Sequence, residues 1–335
     1  MNILHIVNFF NGGGSTRACY EISRKQPDNN HYFIGSDQGI AIPWFDKIGE
    51  VFLLTKDHNF NYLEQNLSGI IRSRKIDLIH MYVPGHENVK CLKNFNLPKV
   101  VTVLCDQKIG FDVNDFDRVI FPSEYGKSLN SDKINESNSV VVRYGIGDKE
   151  DSFDKKTNNN EVVFGRISAI CPSKKILDTL ICAKSAPNNR FIIAGHVLDS
   201  NYDSFIRYFI HYNRMNNVDY RINISEDEKE QIYSEIDVLH YPTGNENFCI
   251  SILEAMQRSK DVIAYKNSAI PEFDADFTMV EDDNISELIW NTQSIIEFEK
   301  HTSDSSKNNR LKYEQFYTAE RYSKDIQGIY EELLK

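Results

Sequence analysis

The chain has 335 residues, of which 41% are hydrophobic and 26% charged, and its formal net charge is −11. This composition is typical of a globular protein, and the acidic balance argues against nucleic acid as the main partner. A single core seldom grows beyond about 250 to 300 residues, so we expect two domains.

The sequence gives no sign of a membrane anchor or a metal site. No apolar run approaches the roughly 20 residues that span a bilayer, and the start, MNILHIVNFF, lacks the features of a signal peptide. None of the six cysteines lies in a C-x-x-C spacing, which argues against zinc. We therefore expect a cytoplasmic protein without a transmembrane segment, for which peripheral membrane contact stays open.

The first half of the chain alternates short apolar runs with amphipathic patterns. Helices are predicted at 16–26 and 60–75. Strands are predicted at 2–9, 31–36, 50–55, 77–82, 99–105, 118–123 and 140–146. This alternation is typical of βαβ units and a parallel sheet, so residues 1–147 are predicted to form a Rossmann-like domain.

A polar stretch then separates two similar patterns. Residues 148–161 are rich in Asp, Asn and Lys and are predicted to be a linker. Residues 162–317 repeat the alternation, with strands predicted at 161–167, 190–196, 218–223, 237–242 and 261–266. A final helix, 318–335 with Thr318 as N-cap, is predicted to pack back on the first domain.

Two doubly wound α/β domains would place the carboxyl ends of their strands at a central cleft, where ligands of such sheets bind. The first candidate there is the glycine loop FNGGGSTR (10–17), which follows the first strand directly. Gly13 and Gly14 would let backbone amides approach an anion in front of a helix. The alternative reading is a simple strand-to-helix turn.

The second candidate is the cationic segment FGRISAICPSKK (164–175). Arg166 ends a predicted strand, and Lys174 and Lys175 precede a predicted helix. Residues 151–335 carry 21 basic and 31 acidic residues, a net charge of −10, so a focused cationic group is unexpected there. Cations in these positions suit a diphosphate. The alternative is a solvated basic turn.

The third candidate is PTGNENFCISILEAM (242–256), a loop that leads into a helix. Amides at the helix N-terminus favour an anion, and two carboxylates, Glu246 and Glu254, can accept hydrogen bonds from hydroxyl groups on either side of it. This pattern suits a nucleotide sugar. For the isolated carboxylate pair, ordinary surface charge is the preferred interpretation, because two glutamates at this spacing often occur by chance.

Taken in order, these segments resemble the retaining glycosyltransferases of family 4, which have the two-domain GT-B fold. The resemblance covers nearly the whole chain. It rests on MNILHIVNFFNGGGSTR, IDLIHMY, RVIFPSEYGKSL, VVVRYGIGDKEDSF, FGRI with KKILDTLICA, DVLHYPT, PTGNENFCISILEAM and AIPEF.

The resemblance implies a role for each matching residue. Glu246 would hold the hydroxyl groups of the donor sugar and Glu254 those of the ribose, while Arg166 and Lys175 would neutralise the diphosphate. Lys175 is preferred to Lys174 on helical spacing counted back from Ala183. Backbone amides would complete the donor pocket, at Phe248, Cys249, Ile250, Gly13 and Gly14.

Two residues depart from the family pattern. Cys105 replaces a His that faces the donor sugar, and Cys249 stands where a small Gly is common. Cys105 is also one of the residues expected on the acceptor side. The full set of acceptor-side candidates is His80, Cys105, Asp106 and Glu124.

The resemblance implies transfer of a sugar from a nucleoside-diphosphate donor, most simply a UDP-sugar, to the hydroxyl group of a glycan or lipid-linked glycan. The anomeric configuration would be retained, in bacterial surface glycan synthesis, without a cofactor or a metal. Two alternatives stay open. One is a non-catalytic nucleotide-sugar-binding partner of a transferase, which the cysteines at 105 and 249 favour. The other is a sugar-nucleotide epimerase or phosphorylase of the same fold.

Overall fold

The computed structural model describes residues 1–10, 13–36, 39–54, 60–82, 90–104, 108–148, 161–298 and 303–335. The chain divides into an N-terminal unit, Met1–Gly147 with Phe316–Lys335, and a C-terminal unit, Asp148–Gln315. Most of the predicted linker, 148–161, lies outside the described residues. None of the described helices combines the length and the apolarity needed to cross a bilayer.

The described part of the N-terminal unit holds a seven-stranded parallel sheet in the order β3-β2-β1-β4-β5-β6-β7. Its strands are β1 Asn2–Phe9, β2 Asn30–Ser36, β3 Glu50–Leu54, β4 Leu78–Tyr82, β5 Lys99–Thr102, β6 Arg118–Phe121 and β7 Ser139–Val141. Every residue of β4 is buried, as expected for a parallel strand covered on both faces. The sheet order is that of a doubly wound fold.

Five α-helices are described in this unit: α1 Gly14–Ser23, α2 Ile42–Phe45, α3 Phe60–Arg74, α4 Glu124–Ser128 and, at the chain end, α11 Ala319–Leu333. Short 3-10 helices lie at Cys91–Asn94 and Val113–Asp115. Helix α11 contacts α1, where Ser323 Oγ donates to the carbonyl of Ile22 at 3.0 Å. Thr318 caps α11, as predicted, because its side chain accepts the amide of Arg321.

The described part of the C-terminal unit holds a six-stranded parallel sheet in the order β10-β9-β8-β11-β12-β13. Its strands are β8 Phe164–Ile167, β9 Phe191–Gly195, β10 Val218–Ile222, β11 Val238–Tyr241, β12 Asp261–Lys266 and β13 Thr278–Glu281. The order reverses between β8 and β11, because β8 is followed by β9 on one side and β11 by β12 on the other. Such a topological switch point is where open α/β sheets bind ligands.

The helices of this unit are α5 Ile176–Ser185, α6 Ser200–Tyr212, α7 Glu226–Glu235, α8 Ile250–Gln257, α9 Ile285–Phe298 and α10 Ser303–Phe316. Short 3-10 helices lie at Pro172–Lys174 and Ile270–Phe273. A capping box starts α7, in which Ser225 and Glu228 each bind the other's backbone amide. The core of the unit lies between the sheet and these helices and contains Phe164, Ile193 and Ile263.

Candidate functional site

Two loops leave the switch point of the C-terminal sheet. One follows β8 and carries Lys174 and Lys175, and the other follows β11 and carries Glu246. The loops contact each other directly, because the amide of Gly244 donates to the carbonyl of Ser173 at 2.9 Å. The segments FGRISAICPSKK and PTGNENFCISILEAM, which lie far apart in sequence, thus form one site.

Arg166, at the end of β8, connects the two loops through hydrogen bonds to their backbone carbonyls. Its guanidinium donates to the carbonyl of Pro242 at 2.6 Å, to the carbonyl of Lys174 and to Ser168 Oγ. It also lies over the ring of Tyr241, with 4.1 Å between the Cζ atom and the ring centroid. The residue is 0% exposed, and this burial lowers its pKa.

This geometry gives Arg166 a role that the sequence did not predict. Five donors in a planar fork allow one guanidinium to bind two carbonyl groups of different loops, which a lysine ammonium cannot do with the same geometry. Direct contact with a diphosphate stays a prediction.

An ion pair lies where the two loops meet. Lys174 Nζ is 2.6 Å from Glu246 Oε1, and Thr243 Oγ1 donates to the same oxygen at 3.3 Å. Glu246 is 9% exposed. An ion pair and a hydrogen bond compensate for the burial of this carboxylate. The pair therefore holds a negative and a positive group side by side at the carboxyl end of the sheet.

Lys175 precedes helix α5 directly, as predicted, and is its N-cap, with a left-handed φ of 46°. Its ammonium binds Asp283 at 2.6 Å and Asp282 at 3.0 Å, whereas the observed partner of Glu246 is Lys174. Contact of Lys175 with a diphosphate stays a prediction.

Helix α8 begins at the end of the second loop, with Cys249 as N-cap. The first amides of a helix have no partner within it and carry a partial positive charge, which suits a phosphate oxygen. Cys249 is buried, and burial raises the pKa of its thiol to about 12, so the thiol stays protonated. The backbone at Phe248, Cys249 and Ile250 is thus at a helix N-terminus, as predicted, and binding by these amides stays a prediction.

Glu254, the second carboxylate of the pattern, lies inside α8 and is only 3% exposed. One oxygen accepts from Lys229 Nζ at 2.8 Å, and the other from the hydroxyl of Tyr233 at 3.1 Å. Both donors belong to α7. Glu254 is buried and both of its carboxylate oxygens accept hydrogen bonds, so it is not an ordinary surface charge, which was the alternative that the sequence left open.

The predicted residues of the N-terminal unit fall in different environments. Gly13 is the N-cap of α1 and Gly14 its first residue, and both are exposed. Their approach to a phosphate stays a prediction. Glu124 is exposed at the start of α4. Cys105 and Asp106 lie outside the described residues.

His80 is in the core and not at the surface, which corrects its prediction as an acceptor-side residue. It is 0% exposed, and its ring nitrogens contact the hydroxyl of Tyr330 at 2.5 Å and that of Thr102 at 2.7 Å. Burial lowers its pKa to about 3, so it stays neutral. In this position His80 fixes α11 to the sheet and has no surface to offer an acceptor.

The sequence did not lead us to assign two residues of the site. Lys174 was passed over for its neighbour, and Lys229 lies in a surface-like sequence, EDEKEQ, that gives no signal by itself. A positive φ at Lys175 could be suspected only from the irregular turn before α5. The partnership of Lys229 with Glu254 depends on how two helices pack, which their separate patterns do not encode.

A family model matches the part of the chain that contains this site. Residues 148–312 match the family model described as Glycosyl transferases group 1. The matched range covers nearly the whole C-terminal unit, including both loops and α8. A comparison of the sequence with curated proteins gives no match.

Solved structures resemble the whole chain. Anabaena HepE, solved in complex with UDP-glucose, has a TM-score of 0.84 and 17% identity, over 99% of this chain and 100% of that one. A glycosyltransferase from Rickettsia africae has a TM-score of 0.83 and 17% identity, over 100% and 98%.

Sucrose-phosphate synthase of Thermosynechococcus elongatus has a TM-score of 0.79 and 13% identity, over 99% of this chain and 98% of that one. At these identities the likeness establishes the fold. The predicted fold class is confirmed: the chain has the α/β GT-B fold, with two Rossmann-like units.

Proposed function

We propose that the protein is a retaining glycosyltransferase of family 4, which moves a sugar from a nucleoside diphosphate to an acceptor hydroxyl. The observation that carries the proposal is the Lys174–Glu246 pair at the switch point of the C-terminal sheet, beside the N-terminus of α8. It places a cation, a carboxylate that can accept hydroxyl groups and the N-terminus of a helix together in the region that matches the group 1 glycosyltransferases.

The reaction requires positive charge around the leaving group, the diphosphate. As the glycosidic bond breaks, the sugar becomes oxocarbenium-like and negative charge grows on the diphosphate. Lys174 and the first amides of α8 would stabilise that charge most strongly in the transition state, which is the condition for catalysis. Because these groups supply the charge, we expect transfer without a bound metal, and a chelator would leave the rate unchanged.

The carboxylates would hold the neutral parts of the donor. Glu246, now paired with Lys174, would accept hydrogen bonds from sugar hydroxyls while the lysine turns to the phosphate. Glu254 lies about one turn into α8 and would accept from the ribose. Retention would follow from attack on the face that the diphosphate leaves, with a phosphate oxygen taking the acceptor proton.

The donor and acceptor are proposed by analogy. HepE was solved with UDP-glucose, which makes a UDP-sugar the first donor to test. A lipopolysaccharide outer core galactosyltransferase, WaaB, has the same fold at a TM-score of 0.73. It supports a glycan or lipid-linked glycan as acceptor in surface glycan synthesis, on the cytoplasmic side of a membrane.

The first experiment is a screen of UDP-, GDP- and ADP-sugars for thermal stabilisation, followed by assay of nucleotide release from each donor that binds. Binding raises apparent stability by mass action. A transferase releases the nucleotide, and release accelerates with an acceptor. Stabilisation without release from any donor would instead support the non-catalytic binding partner. Release of free nucleotide or sugar phosphate that needs no acceptor would support the epimerase or phosphorylase.

A further inference from the structure

Helix α7 presents three side chains to α8 at helical spacing: Lys229, Glu230 and Tyr233. Two of them bind the carboxylate of Glu254, and the third pairs with Arg258. The contacts to Glu254 and to Arg258 can therefore be separated by mutation, although they join the same two helices.

The carboxylate of Glu254 is held at both oxygens. Lys229 Nζ donates to Oε1 at 2.8 Å, and the hydroxyl of Tyr233 donates to Oε2 at 3.1 Å. The two donors, one on each oxygen, restrict the rotation of the side chain.

The donors differ in what they contribute. Lys229 supplies the positive charge that a carboxylate with 4% side-chain exposure needs to stay ionised. The hydroxyl of Tyr233 has a single proton, which it shares between Glu254 Oε2 and the carbonyl of Ser251, each at 3.1 Å, and these two acceptors fix its position. Burial and the nearby charge of Glu254 raise the pKa of Tyr233, so its hydroxyl keeps its proton and acts as a donor.

We propose that Lys229 and Tyr233 are positioning residues, which hold Glu254 ionised and oriented to accept hydrogen bonds from the ribose hydroxyls of the donor. The proposal rests on the proposed function, because it takes Glu254 as the ribose acceptor. It adds a requirement on this chain: ribose recognition depends on α7 as well as on α8.

The neighbouring ion pair provides a control for a purely structural role. Arg258 Nη2 lies 2.5 Å from Glu230 Oε2, and the Arg258 guanidinium lies over the ring of Tyr233. Removing Glu230 weakens the packing of α7 on α8 without touching the carboxylate of Glu254. Lys229 has a second partner of its own, Glu226 at 2.8 Å, whose loss likewise spares Glu254.

The experiment measures the affinity of UDP and of 2′,3′-dideoxy-UDP by calorimetry for the wild type and for K229M, K229R, Y233F, E226Q and E230Q. The wild type is expected to prefer UDP by about tenfold or more, the value of a hydrogen bond to a charged group. K229M and Y233F should lose most of this preference through weaker binding of UDP alone. E226Q and E230Q should keep the preference, and K229R should restore much of it.

Kinetics give a second readout. K229M and Y233F should raise the donor KM more than they lower kcat, because the ribose contact forms before the reaction. Equal loss of both ligands in K229M and Y233F, or loss of the preference in E230Q, would show that the contacts only hold the helices together. A wild type that binds UDP without preferring it to the dideoxy form contradicts the inference alone. A wild type that binds no nucleoside diphosphate contradicts the proposed function itself.

Discussion

Lys174 and Glu246 are 72 residues apart in sequence, and their side chains meet at 2.6 Å. The pair forms because Arg166 and Gly244 hold the backbones of their two loops together. Each side chain satisfies the charge of the other. A bound donor would have to replace this ion pair, with a phosphate as the new partner of the lysine and hydroxyl groups as the new partners of the carboxylate.

Replacing Glu246 with Gln should reduce transfer by about a hundredfold or more, because an amide accepts sugar hydroxyls less strongly and releases Lys174 from its ion pair. The fold should survive, since Lys174 retains access to solvent. Steady-state kinetics with the best donor measure the effect. D283N is the matched control, because Asp283 pairs with Lys175, and its activity should stay near that of the wild type.

Replacing Arg166 with Met should lower the free energy of unfolding by about 3 kcal/mol or more, because the carbonyls of Pro242 and Lys174 lose a buried donor. R166K should not restore stability, since an ammonium lacks the planar fork. Denaturant unfolding gives the free energies. R207M removes an exposed pair with Asp203 and should change stability by less than about 1 kcal/mol. A stable R166M would show that Arg166 does not join the loops.

Gly244 should tolerate no side chain. A Cβ atom there would lie 2.8 Å from the carbonyl oxygen of Ser173, a backbone atom of the neighbouring loop. G244A should therefore separate the loops, lower the melting temperature and weaken donor binding together. G328A, in the exposed middle of α11, meets no atom within 4 Å and should stabilise by about 0.5 to 1 kcal/mol. Unchanged donor binding in G244A would contradict the loop contact.

Stability should fall as the pH drops from about 6.5 to about 3, because of His80 and His240. Burial lowers the pKa of each from 6.5 to about 3, so in this window only the unfolded chain takes up their protons. Above pH 6.5 both rings are neutral in either state, and this effect vanishes. Melting temperatures of the wild type, H80Q and H240Q across the window test it. Each variant should show a shallower slope than the wild type, and H211Q, at an exposed site, should not.

The fold could be predicted well from the sequence, because the fold depends on regular patterns of apolar and polar residues. Buried parallel strands such as Leu78–Tyr82 give continuous apolar runs, and the alternation with helices implies doubly wound sheets. The predicted cap at Thr318 was also confirmed, since capping depends on a few neighbouring residues. These features depend on residues that are close in sequence, so a single sequence is enough to recognise them.

The details of the site were less predictable because they depend on contacts between distant segments. Helical spacing favoured Lys175 as a ligand of the diphosphate, but it could not show that Lys174 pairs with Glu246, 72 residues away. Burial of Arg166 follows from carbonyl groups 8 and 76 residues away. His80 ends a strand pattern like a site residue, yet α11, from the far end of the chain, covers it.

The most direct test compares K174M with K175M in calorimetric titration of UDP. The two variants remove the same charge from adjacent residues. K174M is expected to weaken UDP binding by about tenfold or more. K175M is expected to leave it within about twofold, because Lys175 forms ion pairs with Asp282 and Asp283. Loss of binding in K175M with normal binding in K174M would contradict the assignment of the donor site.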